Sequence, residues 1–374
     1  MTQLDPVDLT RHLISLNSVN PPGNERPIAL MLDAILSQSG FQTKLVDYEQ
    51  NRSSLIAWCG SGDKPALCMT GHMDVVPLGQ APWTQDPFAG TIEGDRLFGR
   101  GASDMKGGVA AMVTSAIEAR HRFAGLELVL VITADEEVGC TGAKVLFEGG
   151  HLNQKVGAIL VCEPTSNLPD LGHKGSLWLE AILRGVTAHG STPHLGENAV
   201  YKAAEKVLAV RDFQFDPVEH PLYGRPTHNV GNIKGGLNIN SVPDRASFHI
   251  DIRTVPSMDH QALTNQFKQL LGPETQLREV INVEPVETDP QDPWIQDCLA
   301  LLKDHQGQEP PIRGGVYVTD ASVLAKAYGK PPVLVLGPGD FAQAHKTDES
   351  CSVSLIHEAH QLYLEILKRW SQRP

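Results

Sequence analysis

Residues 126–133 read Leu-Glu-Leu-Val-Leu-Val-Ile-Thr, a run that is apolar at almost every position. Such a strand has no wet face, so both of its faces have to be covered, as happens in a parallel sheet flanked by helices. The run ends abruptly in Ala134-Asp135-Glu136-Glu137. Neighbouring segments repeat the rhythm. Residues 54–58, 66–70 and 158–161 read as strands. Residues 109–122 place Val109, Met112, Val113, Ala116 and Ile117 on one helical face, and 142–148 reads as a short helix. Alternating strand and helix predict an α/β fold with a mainly parallel sheet.

The pattern changes near residue 176. Segments 177–184 and 246–253 alternate, with Phe248, Ile250 and Ile252 on one face and His249, Asp251 and Arg253 on the other. Helices are expected at 198–210 and 258–271, and a Pro/His-rich loop at 215–227. We read 176–287 as a smaller α+β domain inserted into a larger one formed by 1–175 and 288–374. The Pro-rich stretch 284–293 marks the return. A helix at 294–303, a strand at 333–336 and a last amphipathic helix through Leu355, Leu362, Ile366 and Trp370 complete the larger domain. A chain of 374 residues suits two domains.

Composition narrows the partners. A formal net charge of −13 argues against nucleic acid and against a polybasic membrane surface. Residues 1–16 lack the layout of a signal peptide, and no apolar window is long enough to span a membrane. Six scattered cysteines with no CxxC pair read as reduced thiols of a cytoplasmic protein.

The chemistry-bearing residues cluster just beyond the strand ends. After 66–70 comes Gly71-His72-Met73-Asp74, after 126–133 the Asp-Glu-Glu run, after 158–161 Cys162-Glu163-Pro164, and after 333–336 Gly337-Pro338-Gly339 with His345 beyond. Parallel strands bring their carboxyl ends to one edge, where open α/β sheets bind ligands. Asp104, in the Gly-rich loop before the 109–122 helix, adds another carboxylate. Taken singly, each feature has an ordinary reading as a structural histidine, a solvated acidic turn or a tight glycine turn. Together they place two imidazoles and several carboxylates at one edge. Crowded carboxylates resist ionising together unless a cation neutralises them. Imidazole plus carboxylate suits zinc or a similar metal, and two such ions sharing a carboxylate would activate water for hydrolysis.

These motifs resemble those of the M20 family of dinuclear zinc amidohydrolases and peptidases, in family order and over nearly the whole chain. Within it they are similar to the branch of acetylornithine deacetylases and succinyl-diaminopimelate desuccinylases. The segments are Gly71-His72-Met73-Asp74-Val75-Val76-Pro77, residues 100–107 around Asp104, Asp135-Glu136-Glu137-Val138-Gly139, and Cys162-Glu163-Pro164-Thr165-Ser166. The resemblance implies a zinc-exopeptidase-like catalytic domain and two divalent ions, zinc with cobalt able to substitute. His72 and Glu163 would hold one, Glu137 and His345 the other, and Asp104 would bridge. Asp74 would hydrogen-bond the far nitrogen of His72, and Glu136 would be the general base.

For the inserted domain the resemblance implies a lid that also forms a homodimer. His189, in Ala188-His189-Gly190-Ser191-Thr192-Pro193-His194, would reach the partner's site and bind the oxyanion. Without the resemblance it reads as an ordinary loop histidine, and His194 is open in the same way. Lys174, Asn240 and Arg253 would contact substrate, while Arg253 equally fits a polar residue on an open strand face. The implied activity is hydrolysis of a small N-acyl amino acid, N-acetylornithine first, with arginine biosynthesis as the setting. Residues 163–166, 173–175, 336–339 and 343–345 favour that deacetylase, and Pro193-His194-Leu195-Gly196-Glu197-Asn198 favours a desuccinylase. Residues 315–321 depart from both. A dipeptide exopeptidase and a non-catalytic binding protein on the same scaffold are the alternatives.

Overall fold

The computed structural model describes residues 4–216 and 219–373. Residues 1–3 of the N-terminal stretch and 217–218 of the Pro/His-rich loop lie outside the described residues. The chain divides into two compact units: residues 1–172, 287–315 and 319–374 form the first, and 173–286 with 316–318 form the second.

The first unit is built on a mixed sheet with a parallel centre. Its strand order is Gln42–Glu49, Arg52–Cys59, Leu128–Thr133, Ala66–His72, Val156–Val161, Val333–Val335, Asp170–His173 and Val286–Glu287, with Arg313–Gly315 paired off this path. Ala66–His72 runs parallel to Leu128–Thr133 and Val156–Val161, which in turn runs parallel to Val333–Val335. The Arg52–Cys59 hairpin strand is antiparallel to both of its neighbours. The all-apolar sequence is explained directly, since Leu128, Val129, Leu130, Val131 and Ile132 are all buried. Helices Gly107–Arg122, Val353–Ser371 and Pro6–Ser15 pack together, and the Gly107–Arg122 helix is buried almost all round rather than along one stripe. Side chains of Asp5, Asp292 and Ser352 accept first-turn N–H groups and start their helices.

Register matters most for the site. His72 lies opposite Thr133, Thr70 opposite Val161 and Val161 opposite Val335, so the parallel strands end level. The segments beyond them all leave from one edge. Close approach there depends on glycine. A Cβ on Gly108 would lie 2.0 Å from the carbonyl oxygen of Cys162, and one on Gly337 would lie 2.4 Å from that of Glu163.

The second unit is a four-stranded antiparallel sheet, in order Thr227–Gly235, Arg245–Thr254, Gly175–Arg184 and Thr275–Val283. Helices Ala199–Asp212 and His260–Leu271 cover one face, over a core of Leu177, Leu179, Phe248, Ile250, Ile252 and Phe267. The alternation read at 246–253 is present, because Phe248, Ile250 and Ile252 are buried while His249, Asp251 and Arg253 are half-buried. Several elements of the first unit were not expected from the sequence, among them the helices Pro6–Ser15, Arg26–Gln38 and Ala321–Ala327 and the strand Gln42–Glu49.

Candidate metal centre

The level strand ends gather the expected donors. His72 closes its strand, and its Nε2 lies 3.1 Å from Asp104 Oδ1 and 3.7 Å from Glu163 Oε1. On the other side of Asp104, His345 Nε2 lies 3.4 Å from Asp104 Oδ2 and 3.2 Å from Glu137 Oε2. Two donor groups result, His72–Asp104–Glu163 and Asp104–Glu137–His345, each with its atoms within 4.8 Å of one another. Asp104 belongs to both and offers a different oxygen to each.

The electrostatics are those of a set that wants cations. Burial pushes the Glu163, Glu136 and Glu137 carboxyls up, the last to about 7, and their mutual repulsion adds to the effect. Burial alone would lower His72, but Glu163, Asp104, Glu136 and Asp74 around it drive it well above its ordinary value. Hydrogen bonds to Asp104 and Glu137 raise His345 to about 10. For Asp104, burial acts upward and is overcome by the two imidazoles, which hold it well below the carboxylate range. Glu137 Oε1 is buried without a hydrogen-bond partner among the described residues. A buried carboxylate oxygen left open beside two imidazoles fits a cation.

The surrounding contacts orient these groups. His72 Nδ1 donates to the backbone carbonyl of Asp74 at 2.9 Å, while the Asp74 carboxylate is 3.6 Å away. The hydrogen bond expected from that carboxylate is therefore made by the main chain. The reason is that Asp74 is already occupied: it accepts Glu136 N at 3.1 Å, Glu137 N at 3.2 Å and Asn20 Nδ2 at 2.8 Å. Its carboxylate orients the Glu136–Glu137 pair rather than the imidazole. Several non-glycine residues of these loops, among them Asp135, Cys140, Ser166 and His345, adopt positive φ, a cost concentrated at the site.

Sequence reasoning missed a buried layer behind this edge. Arg52 Nη2 reaches Glu25 at 2.7 Å and Asp135 at 2.9 Å, and Asn20 joins Asp135 to Asp74. Asp320 is buried, accepts from Thr133 Oγ1, and is raised to about 6, chiefly by burial. The Asn-Pro-Pro-Gly turn after Val19 offered a signal for Asn20, but it does not point to chemistry by itself.

The remaining sequence-predicted residues lie in the second unit. His189 is exposed, and its Nδ1 lies 2.7 Å from Ser191 Oγ. Its loop is stitched to the Asn240 loop by Gly190 N to Asn240 O at 2.7 Å and Val242 N to Ala188 O at 2.8 Å. His194 is in the short turn Pro193–Leu195, also exposed. Arg253 pairs with Asp251 at 2.9 Å on its own strand, and Lys174 Nζ donates to the Arg225 carbonyl at 2.6 Å. Burial, with Arg253 adding repulsion, lowers Lys174 below the ordinary lysine range.

Residues 68–369 match the peptidase family M20/M25/M40. The chain belongs to this family. It is a metal-dependent amidohydrolase, and the two donor groups are candidate metal-ligand sets. A protein from Staphylococcus epidermidis named as a probable succinyl-diaminopimelate desuccinylase is 29% identical, over 100% of this chain and 99% of its own length. Among solved structures, an M20 family metallo-carboxypeptidase from Sulfolobus solfataricus superposes with a TM-score of 0.81 at 19% identity, covering 98% of this chain and 99% of that one. A dinuclear metal-binding M20 peptidase from Bacillus subtilis gives 0.72 at 15% identity, with 97% of each chain covered. At these identities the two solved structures speak for the M20 fold. Among the described residues no helix is long and apolar enough to cross a membrane, and all six cysteines are buried and unpaired.

Proposed function

We propose that this chain hydrolyses the amide of a small N-succinyl amino acid, with succinyl-diaminopimelate as the leading substrate. The observation that carries the hydrolytic reading is Asp104 shared between two donor groups, with Glu136 beside the ligand Glu137 but outside both groups. The succinyl preference draws on the name of the Staphylococcus epidermidis relative. N-acetylornithine, favoured by the residues around Glu163 and His345, draws no specific support from that relative, and arginine biosynthesis gives way to diaminopimelate and lysine biosynthesis. Dipeptide hydrolysis is the second reading, favoured by the peptidase titles of the solved structures.

His72, Asp104 and Glu163 would hold one divalent ion and Asp104, Glu137 and His345 the other. Zinc is the ion this imidazole–carboxylate set suits best, with cobalt as a substitute. Bound there, the ions would lower the pKa of water and polarise the amide carbonyl. Glu136 accepts the proton that water loses as its oxygen attacks the carbonyl carbon. It then delivers that proton to the amine nitrogen as the C–N bond breaks, and returns to its starting state. Asp74, by fixing the N–H groups of Glu136 and Glu137, sets where that carboxylate points. His189 would donate to the oxyanion, and Asn240, Lys174 and Arg253 would bind the substrate's carboxylate groups.

The second unit supports a homodimer. Leu237 and Ile239 are fully exposed, Tyr201 and Leu208 project from the helix, and Thr227–Gly235 is an edge strand. Apolar surface beside an unpaired edge suits a second copy of the chain. Six buried, unpaired thiols suit the reducing cytoplasm.

One experiment tests the reading. Purified protein loaded with zinc or cobalt is offered N-succinyl-diaminopimelate, N-acetylornithine, other N-acyl amino acids and dipeptides, and kcat/KM is compared. A kcat/KM for the succinyl substrate at least about tenfold above the others, a difference of about 1.4 kcal/mol, supports the proposal. Preference for dipeptides would replace it.

A further inference from the structure

His345 differs from the other candidate ligands. His72 ends a buried strand and Glu163 stands just beyond one, whereas His345 rides on the irregular segment 337–349 with its side chain 55% exposed. A ligand on such a segment needs anchoring from elsewhere. Both ends of the segment supply it, and both attach to the same place.

At the near end, Asp340 N donates to Ser103 Oγ at 3.0 Å. At the far end, Ser103 Oγ donates to the Ser350 carbonyl at 3.1 Å. Next to it lies Glu349, fully buried. Its Oε2 accepts Arg100 Nη1 at 2.6 Å and Gly101 N at 3.1 Å, and its Oε1 accepts Ser103 N at 2.9 Å and Asp104 N at 3.0 Å. Gly99 N donates to the Glu349 carbonyl at 2.9 Å. One carboxylate and one hydroxyl thus tie the His345 segment to residues 99–104, which end in Asp104, the carboxylate shared by both donor groups.

We propose that Glu349 and Ser103 are positioning residues that couple His345 to Asp104, so that the Asp104–Glu137–His345 pocket is assembled through them while His72 and Glu163 are set by the sheet. The inference rests on the two-metal reading above. Its rival is that Glu349 only neutralises the buried Arg100 guanidinium, in which case its loss would lower stability and leave the relative affinities of the two pockets alone.

The test uses the full-length protein stripped of metal and titrated calorimetrically with Zn2+, and separately with Co2+ while the visible absorption is followed. Wild type, Ser103→Ala and Glu349→Gln are compared, with thermal melting as the control for folding. Wild type binds two ions. In both variants the expected result is one binding step weakened about tenfold or more while the other stays within about threefold of wild type. Two unchanged steps with a lowered melting temperature overturn the inference and establish the stabilising role. Equal weakening of both steps overturns it too. Should Glu349→Gln not fold, Ser103→Ala decides alone. A wild type that binds fewer than two ions instead overturns the two-metal reading, and the inference with it.

Discussion

The two units hold their chemistry in opposite ways. In the first, His72, Glu137 and Glu163 stand at or just beyond the ends of buried, level strands, and a second layer of Asn20, Arg52, Glu25 and Asp135 lies behind them. In the second, His189 and Asn240 sit on exposed loops next to the fully exposed Leu237 and Ile239, and Arg253 and Lys174 already have partners on their own unit. On the proposed reading a second copy of the chain would cover this exposed apolar surface of the second unit. On the same reading, the metal ligands and the proton carrier belong to the first unit, while the second contributes an oxyanion donor, substrate contacts and the dimer surface.

The sharpest way to break that division is to remove the proton carrier alone. Glu136→Gln keeps the shape of the side chain and leaves all five candidate ligands in place, but it cannot accept a proton. Turnover is expected to fall by about 10³-fold or more, near the upper range for general-base loss, while metal content stays that of wild type. Steady-state kinetics alongside metal analysis checks this. Normal turnover with full metal would remove Glu136 from the mechanism.

The next effect tests assembly. Leu237→Ser combined with Ile239→Ser removes two side chains worth roughly 1.5–3 kcal/mol each when buried. If they lie in the dimer interface, sedimentation will show monomers at concentrations where wild type is dimeric, with the melting temperature of dilute protein little changed. An unaltered sedimentation profile would place the interface elsewhere or dispense with it.

His189→Ala should lower kcat by about a hundredfold, the cost of losing one oxyanion donor, and change KM less. Mixing it with Glu136→Gln sharpens the comparison further. If His189 serves the partner's site, each mixed dimer regains one intact site, and the mixture recovers up to about a quarter of wild-type activity. No recovery, in a mixture shown to exchange subunits, would confine His189 to its own chain.

How much of this could be read in the chain depends on the type of signal. Buried parallel strands announce themselves, because 128–132 must be apolar on both faces, and the residues directly after them inherit a position from the sheet. That is why His72, Glu137 and Glu163 were legible, and why Asp104 was legible from its glycine-rich loop. The helices Pro6–Ser15 and Arg26–Gln38 carried a signal that went unread, since their buried residues 6, 7, 10, 13 and 14, and 28, 29, 32 and 36, keep the spacing of a helical stripe. Glu25, Arg52 and Glu349 escaped for a different reason. Each is a charged residue whose partner lies tens or hundreds of positions away, as with Arg100 and Glu349, and no local period records such pairs. Asp74 shows the limit within a motif, for the sequence placed it beside His72 without revealing that three N–H donors claim its carboxylate first.

The smallest expected effect concerns the stability of the second unit. His173 is buried, its Nδ1 hydrogen-bonds the Lys174 carbonyl at 2.7 Å, and its Nε2 has no hydrogen-bond partner among the described residues. Burial lowers its pKa to about 4, against an unfolded value near 6.5. The folded-state value is the depressed one, so the stability tied to neutral His173 is fully present above pH 6.5. Between about pH 6.5 and 4 the unfolded chain takes up a proton that the folded chain refuses, and that stability is lost as pH falls, amounting to about 2 kcal/mol by about pH 5. His173→Asn removes the titration while retaining a side-chain donor for the Lys174 carbonyl. Denaturant unfolding of both proteins at about pH 8 and about pH 5 should therefore show the wild type losing more stability than the variant on acidification. A gap between them that is independent of pH would mean that His173 is solvated or charged in the folded unit.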